Sequence, residues 1–226
     1  MSREKAQSKT SPRFLITKLH PRSYISEQYR TVRTNIQFAS ADADVRTLLV
    51  TSASPGEGKS TTTANLAVVF AKHGKSVLLI DADLRKPTVH YTFSVKNYRG
   101  LSNILVGEAT LIEAVVASEV ENLDILTSGP IPPNPSELLD SKRMETLLQE
   151  AKSHYDIVLI DTPPVLVLTD TQILANLCDG SILVVRNKVT QLEDAQKAIE
   201  VLKASEGKVL GTVLNGTSSK ETNYYY

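Results

Sequence analysis

Hydrophobic residues gather in short runs of β-branched and aliphatic side chains along this 226-residue chain, and they do not alternate strictly with polar ones. Such runs are typical of parallel strands that are covered on both faces. They predict strands at 47–52, 76–83, 123–129, 155–162, 180–186 and 209–215.

Helical patterns lie between these runs. We predict helices at 59–73, 136–151 and 191–205, with a shorter one near 110–118. Alternating strands and helices imply right-handed βαβ units and a parallel sheet between helices. The pattern therefore predicts an α/β fold, a single domain with a mostly parallel central sheet and helices on both faces.

One further helix is predicted before the first strand, at about 24–40. Its apolar stripe consists of Tyr29, Val32, Ile36 and Ala39. A second stripe, about 140° away at helical spacing, consists of Glu27, Arg30 and Arg33. We expect the first stripe to dock on the domain, and the pattern alone favours a solvated face for the second.

Charge is balanced overall, with 25 basic and 25 acidic residues, so no global field indicates nucleic acid as a partner. Residues 1–22 differ, because they carry six basic residues against the single acid Glu4. This segment is predicted to be a flexible basic arm. It is either a solvated tail or a segment attracted to an anionic membrane surface or an acidic partner.

The single cysteine, Cys178, rules out a disulfide within the chain and fits a reducing compartment. Its apolar surroundings predict a buried thiol and not a nucleophile. No apolar run approaches the roughly 18 residues of a membrane span, and no signal peptide is apparent. We expect a soluble cytoplasmic protein that needs a partner to work at a membrane.

The segment "ASPGEGKST" at 53–61 fits the P-loop pattern, with Ala53 at its first position. Gly56 and Gly58 allow positive φ, so that backbone N–H groups turn towards phosphate oxygens. Lys59 would supply charge to the β- and γ-phosphates, and Ser60 would ligate Mg²⁺. The predicted nucleotide contacts are Ser54, Pro55, Gly56, Glu57, Gly58, Lys59, Ser60 and Thr61.

Acidic residues follow two of the predicted strands. In "VLLIDADLR", Asp81 and Asp83 would point the same way from an extended chain, at the edge where α/β sheets bind ligands. Such a pair needs a shared cation or proton, and Mg²⁺ bound to ATP is the obvious cation. Asp161 in "IVLIDTPP" is typical of a Walker B carboxylate. The predicted metal ligands are Ser60, Asp83 and Asp161.

These motifs resemble the bacterial tyrosine kinases of polysaccharide export systems, from about residue 14 to the end. The resemblance rests on "SASPGEGKST", "LLIDADLRKP" and "VLIDTPP", together with "GPIPPNPSELLDS" at 129–141. It also includes the motif E-x-x-R-x-x-R and a tyrosine-rich C-terminus, here Tyr224, Tyr225 and Tyr226. The absence of a transmembrane segment resembles the split arrangement of Gram-positive members.

The resemblance implies transfer of the γ-phosphoryl group of ATP to the tail tyrosines and to other proteins, and regulation of polysaccharide synthesis and export. It implies ring assembly through Glu27, Arg30 and Arg33, which reverses the pattern-only view of that stripe. It also implies activation by the cytoplasmic tail of a membrane adaptor at the inner face of the membrane, and a phosphotyrosine phosphatase as a partner.

Within this family reading, Asp81 is the candidate base for the tyrosine hydroxyl, and its role could be exchanged with that of Asp83. Arg85 would pair with these acids or with phosphate. Asn215 is a candidate adenine contact, by analogy with other P-loop proteins. The chain would divide into the arm at 1–22, a kinase domain at 23–216 and a flexible tyrosine tail at 217–226.

Two other functions remain open. One is a deviant Walker ATPase that positions septa or partitions plasmids, but such P-loops usually carry a lysine where this chain has Ser54. Septum-positioning members also end in an amphipathic helix, whereas this chain ends in "TSSKETNYYY". The other is a non-catalytic, ATP-gated scaffold, which the intact Lys59 and aspartates disfavour.

Overall fold

A computed structural model describes residues 15–39 and 44–217. Its centre is one seven-stranded sheet. The strands are β1 (Thr47–Ser52), β2 (Val77–Asp81), β3 (Val116–Ala117), β4 (Leu123–Leu126), β5 (Ile157–Asp161), β6 (Gly180–Arg186) and β7 (Lys208–Asn215). Their order is β3-β4-β2-β5-β1-β6-β7, and every pair is parallel except β3 with β4.

Ten helices surround the sheet in the described segments. They are α1 (Ile16–Leu19), α2 (Tyr24–Ala39), α3 (Lys59–Ala71), α4 (Val89–Phe93), α5 (Leu101–Val106), α6 (Leu111–Ala114), α7 (Pro135–Leu139), α8 (Lys142–His154), α9 (Asp170–Leu177) and α10 (Leu192–Lys203). None of these helices combines the length and the apolar character that crossing a bilayer requires.

The core occupies both faces of the sheet, which explains why the strand sequences are apolar runs. Leu78 and Ile80 pack in one buried cluster, and Val77 and Leu79 pack in the other. Successive side chains of a strand point to opposite faces, so a strand between two helix layers needs apolar residues at every position. The predicted α/β fold with helices on both faces is therefore confirmed.

All six predicted strands are present, but two helix predictions differ from the structure. The helix predicted at 136–151 is two helices, α7 and α8, because Ser141 has an extended backbone and begins a new helix. The segment near 110–118 is helical for four residues only and then forms β3, whose Val116 favours an extended backbone. Helices α4, α5 and α9 were not predicted.

The extra helix α2 docks as its apolar stripe predicts. Ile36 is buried in the second cluster, and Tyr29 and Val32 pack against it. Ala39, the fourth residue of the stripe, ends the helix, and its carbonyl accepts a hydrogen bond from Lys208. The predicted apolar stripe therefore contacts the rest of the domain along most of α2.

Residues 15–22 differ from the predicted basic arm because they contact the domain. Leu15 and Thr17 are buried, and the backbone N and Oγ1 of Thr17 both donate to Asn65 Oδ1, at 3.0 and 2.8 Å. A helix as short as α1 is held by such tertiary contacts and leaves no periodic pattern to detect. Residues 1–14, the remainder of the predicted arm, lie outside the described residues.

Candidate active site

The P-loop joins β1 to α3 and has the backbone that its glycines predict. Gly56 and Gly58 have φ of 82° and 97°, in the left-handed region. A Cβ on Gly58 would lie 2.0 Å from Asn215 Nδ2, so a side chain there would also displace the Asn215 amide. Helix α3 begins at Lys59 and directs its N-terminal N–H groups at the loop. The arrangement suits a bound phosphate.

Lys59 is the cation of this site. Its Nζ lies 3.2 Å from Asp83 Oδ2 and 3.7 Å from Asp161 Oδ1, and it donates to Ser60 Oγ at 3.1 Å. Burial alone would lower the pKa of Lys59, but the nearby charges of Asp161 and Asp83 outweigh it and raise that pKa. Lys59 therefore remains positively charged at neutral pH.

Asp81 is the last residue of β2 and pairs in register with Asp161 of β5. It is fully buried, and its Oδ2 accepts hydrogen bonds from the backbone N of Thr88 and of Val89, both at 2.9 Å. Its Oδ1 has no hydrogen-bond partner among the described residues. Burial and the charge of Asp161 raise the pKa of Asp81 to about 7, although the two amides and Lys59 oppose the shift.

Asp83 lies beyond the end of β2, so the structure differs from the prediction of two carboxylates on one extended strand. Its Oδ1 accepts from the backbone N of Lys86 at 3.0 Å, and its Oδ2 accepts from Lys59. Both oxygens of Asp83 are therefore engaged, whereas Asp81 keeps one acceptor atom. The turn after β2 gives the two acids different environments.

The predicted metal ligands fit an ion that arrives with a nucleotide. Ser60 and Asp161 are buried. Lys59 Nζ lies close to Ser60, Asp83 and Asp161, so the three side chains surround one cation. Within residues 15–39 and 44–217, no group of three or more histidine, cysteine or acidic side chains is arranged to hold a metal on its own. Mg²⁺ usually binds through one or two carboxylates plus waters and substrate phosphates, which matches this donor set.

Arg85 contacts a different carboxylate from those predicted. Its Nε and a terminal nitrogen donate to the two oxygens of buried Asp170 at 2.8 and 3.1 Å, and it also donates to Ser136 Oγ at 3.0 Å. Burial alone would raise the pKa of Asp170, but hydrogen bonds from Arg85 and Ser136 outweigh it and lower that pKa. Among the described residues, Arg85 forms no hydrogen bond with Asp81 or Asp83.

Glu57 points into the protein and not towards the phosphate position. Its carboxylate is buried, with one oxygen accepting from the backbone N of Ser54 at 3.0 Å and the other from Thr190 Oγ1. The Ser54 amide is therefore used within the loop. Sequence reasoning missed Thr190, whose only signal was its place just after the run that forms β6.

Asn215 lies against the P-loop. Its Nδ2 donates to the carbonyl of Glu57 at 2.9 Å, and Arg186 donates to the carbonyl of Gly56 at 2.7 Å. The ends of β6 and β7 thus border the loop on the side away from Asp81. Arg186 was not predicted, and its position at the end of an apolar strand is the signal that could have found it.

The remaining predicted site residues lie away from the P-loop or outside the described residues. Arg30 donates to Glu27 and to the carbonyl of Pro21, and Arg33 is half-buried. Their stripe is therefore less exposed than its pattern suggests. Tyr224, Tyr225 and Tyr226 fall in the segment 218–226, which the structure does not describe.

The fold and the P-loop define a domain like those of the P-loop NTPases, and the sequence pattern of the AAA domain matches residues 45–209. The chain is 52% identical to the tyrosine-protein kinase YwqD of Bacillus subtilis (strain 168), across 100% of this chain and 96% of that protein. It therefore belongs to the family of bacterial tyrosine kinases, as its motifs predict.

Solved structures that are similar to this chain agree with this family assignment. The chimerical protein CapA2B2 has 43% identity and a TM-score of 0.85, with 88% of each chain covered. The kinase domain of Escherichia coli tyrosine kinase ETK has 32% identity and a TM-score of 0.88, covering 99% of this chain and 88% of that one. The septum site-determining protein MinD of Pyrococcus horikoshii has 29% identity and a TM-score of 0.67, covering 77% and 72%.

Proposed function

We propose that this chain is an ATP-dependent protein-tyrosine kinase that phosphorylates Tyr224, Tyr225 and Tyr226 and regulates polysaccharide synthesis and export. The observation that carries the proposal is the buried Asp81, which has one unpartnered oxygen beside the cation Lys59 and the P-loop. A site that binds a nucleotide needs hydrogen-bond donors for the phosphates and ligands for the metal ion. A carboxylate with a spare acceptor atom also suits deprotonation of an incoming hydroxyl.

In the proposed mechanism the P-loop amides and Lys59 hold the nucleotide phosphates and offset their charge. Ser60, Asp83 and Asp161 are the residues that would hold Mg²⁺ directly or through water. The bound ion supplies positive charge to the phosphoryl group during transfer. The Lys59 contacts keep these side chains within a few ångströms of one another before the nucleotide arrives.

Asp81 would orient the tyrosine and accept its proton. A tyrosine hydroxyl has a pKa of about 10, so it is a weak nucleophile without help. The amides of Thr88 and Val89 fix Oδ2, so that Oδ1 remains as the acceptor for the tyrosine O–H. The pKa of Asp81, raised by burial and Asp161, makes it a stronger base than an exposed aspartate.

Asn215 and the loop that begins at Arg186 would contact the adenine end of ATP. Their hydrogen bonds to the P-loop carbonyls place them beside the phosphate site, opposite Asp81. Arg85 would act indirectly, by tying the segment after β2 to α7 and α9 through Ser136 and Asp170.

The proposed partners follow from family membership. Copies of the chain would form a ring through Glu27, Arg30 and Arg33, and the cytoplasmic tail of a membrane adaptor would recruit and activate the kinase at the inner face of the membrane. Other proteins would be phosphorylated on tyrosine, and a phosphatase would reverse the modification. In this proposal the kinase domain, predicted at 23–216, also includes the docked residues 15–22, and 217–226 is its substrate tail.

The septum-positioning class is the second candidate, because MinD shares the fold. Two observations favour the kinase. Ser54 replaces the additional P-loop lysine, and the backbone N of Ser54 is held by Glu57. The likeness to the ETK kinase domain also covers more of the chain, with a higher TM-score. A scaffold without catalysis would not need the buried carboxylate pair.

Phosphosite mapping tests the proposal. Purified protein is incubated with Mg·ATP and the adaptor's cytoplasmic segment, and modified residues are mapped by mass spectrometry. We expect phosphate on the three tail tyrosines, and none in Lys59→Met. ATP hydrolysis without phosphotyrosine would favour the ATPase class and contradict the kinase.

Light scattering tests the proposed assembly separately. Replacing Glu27, Arg30 and Arg33 by alanine should convert the ring into monomers, since these side chains would contact a neighbouring copy. An unchanged particle mass would show that the ring uses another surface.

A further inference from the structure

A cavity of about 340 Å³ lies between α2 and the carboxyl end of α3. Three basic side chains line it, Arg30, Arg33 and Lys72, and Val69 forms part of its wall. Among the described residues that line it, none is acidic. The cavity is therefore basic with an apolar patch, and its size is at the lower end of the usual range for small-ligand sites, about 300–1,000 Å³.

Two of these cations lack an acidic partner within the described residues. Arg30 is paired with Glu27, but the buried Nε–H of Arg33 donates to no partner there. Lys72 donates to the carbonyl of Thr17 at 2.7 Å. Burial lowers the pKa of Lys72, and the like charges of Arg30 and Lys18 lower it further. The positive charges in this cavity therefore repel one another.

The charge balance favours an anion in the cavity. The carboxyl end of α3 contributes about half a negative charge, which three cations outweigh. Arginine presents its N–H groups in a planar fork that matches phosphate geometry, and lysine adds a point charge. A multiply charged phosphate group satisfies more of these donors than a single carboxylate does.

We propose that the cavity binds a phosphotyrosine of the segment Lys220–Tyr226 of this chain, with the phosphate on Arg33 and Lys72 and the ring against Val69. This inference rests on the proposed function, because it uses the modified tail as the ligand. Docked there, the phosphate would lie beside Glu27 and Arg30, so it would compete with a neighbouring copy for the proposed ring interface.

The length of the tail is compatible with docking in the cavity of its own chain. Asn215 contacts the P-loop at the start of α3, and the cavity lies at the other end of that helix. Thirteen helical residues span about 20 Å. The nine residues after Thr217 span about 30 Å when extended. The extended tail is therefore longer than the helix that separates the P-loop from the cavity.

Fluorescence anisotropy with the synthetic peptide KETNYYY, phosphorylated on tyrosine, tests the inference on the full chain. We expect Arg33→Met and Lys72→Met each to weaken binding about tenfold, because each removes a charged hydrogen-bond donor. The unphosphorylated peptide should bind at least tenfold more weakly. Lys203→Met, an exposed lysine on α10, is the matched control and should bind as the wild type does.

The variant Glu27→Gln distinguishes the effect of the charges in the cavity from the effect of ring assembly. It alters the proposed ring motif but keeps every cation of the cavity, so phosphopeptide binding should be equal or tighter. Lys72→Met lies outside that motif, so its loss of binding would not reflect a dissociated ring. Thermal unfolding of each variant shows whether it is folded.

Three results would overturn the inference: equal binding by both cation variants, equal binding of the unphosphorylated peptide, or a cavity that binds inorganic phosphate as tightly as the phosphopeptide. The peptide is phosphorylated in advance, so this experiment does not depend on catalysis. A kinase that labels its tail but fails here would refute only the docking site.

Discussion

Carboxylates lie at both ends of the parallel sheet, and the two ends hold them in opposite ways. At the amino end, Asp179 accepts hydrogen bonds from the backbone N of Arg46, the N and Oγ1 of Thr47, and Lys152 Nζ, all at 2.8–3.0 Å. Burial alone would raise the pKa of Asp179, but the donors on Thr47 and Lys152 outweigh it and lower that pKa.

At the carboxyl end, Asp81 and Asp161 are buried side by side with one shared cation, Lys59. Burial and the like charge raise the pKa of Asp81, and one of its oxygens has no partner among the described residues. The amino end is therefore arranged for folding, and the carboxyl end for a ligand. Perturbed acids at a strand-end crevice are typical of functional sites.

The largest expected effect tests the carboxyl end. Asp81→Asn should lower tail phosphorylation about 10²–10⁴-fold, because the amide cannot accept the tyrosine proton. Quantitative mass spectrometry of Tyr224, Tyr225 and Tyr226 measures it, and Asp156→Asn, a half-exposed acid at the amino end, is the control. Retained activity in Asp81→Asn would show that Asp81 is not the base.

The next effect tests the amino end. Asp179→Ala should lower the free energy of unfolding by about 2–4 kcal/mol at pH 7, because it leaves several donors without a partner. Kinase activity per folded molecule should not change. Urea unfolding measures the difference, and a loss below 0.5 kcal/mol would contradict the structural role.

The same variant has a defined pH dependence. The lowered pKa of Asp179 means that its ionised form contributes stability above the unfolded value of about 3.9. That contribution is lost as the pH falls through the lower pKa of the folded state. Urea midpoints of wild type and Asp179→Ala should therefore converge below about pH 4 and stay apart from pH 5 to 7.

A smaller effect compares the two ends of one strand. Asn215→Ala, at the carboxyl end of β7, should weaken Mg·ADP binding about fivefold, since it removes one hydrogen bond that positions the P-loop, worth about 1 kcal/mol. Lys208→Ala, at the amino end of β7, should bind Mg·ADP normally. Calorimetry measures both, and equal affinities would remove Asn215 from the nucleotide site.

The smallest effect is expected at an exposed ion pair. Lys75 Nζ lies 3.9 Å from Asp156 Oδ1, and both side chains are nearly half exposed. Solvent screens such a pair, so Lys75→Ala should change stability by less than about 0.5 kcal/mol. If Lys75→Ala lost as much stability as Asp179→Ala, the number of hydrogen-bond donors around Asp179 would not explain its contribution to stability.

The strands and the P-loop were predictable because their signals are local. Every predicted strand is present, since an apolar run reports burial on both faces. Helices α4, α5 and α9 have only five, six and eight residues, too few for a clear helical period. The Asp81 contacts depended on α4, whose first amides hold its carboxylate, and so they were not predicted.

The sequence by itself determined the P-loop backbone and the acids at the strand ends, because glycine conformation and apolar strand runs are local features. The motifs that contain these residues also determined the membership of a kinase family. Only the tertiary structure decided which partners these side chains have. Arg85 bonds a residue 85 positions away, and Asn215 one 158 positions away. The basic cavity also forms only where α2 meets α3. Contacts at such separations depend on how helices and strands pack, which no local pattern encodes.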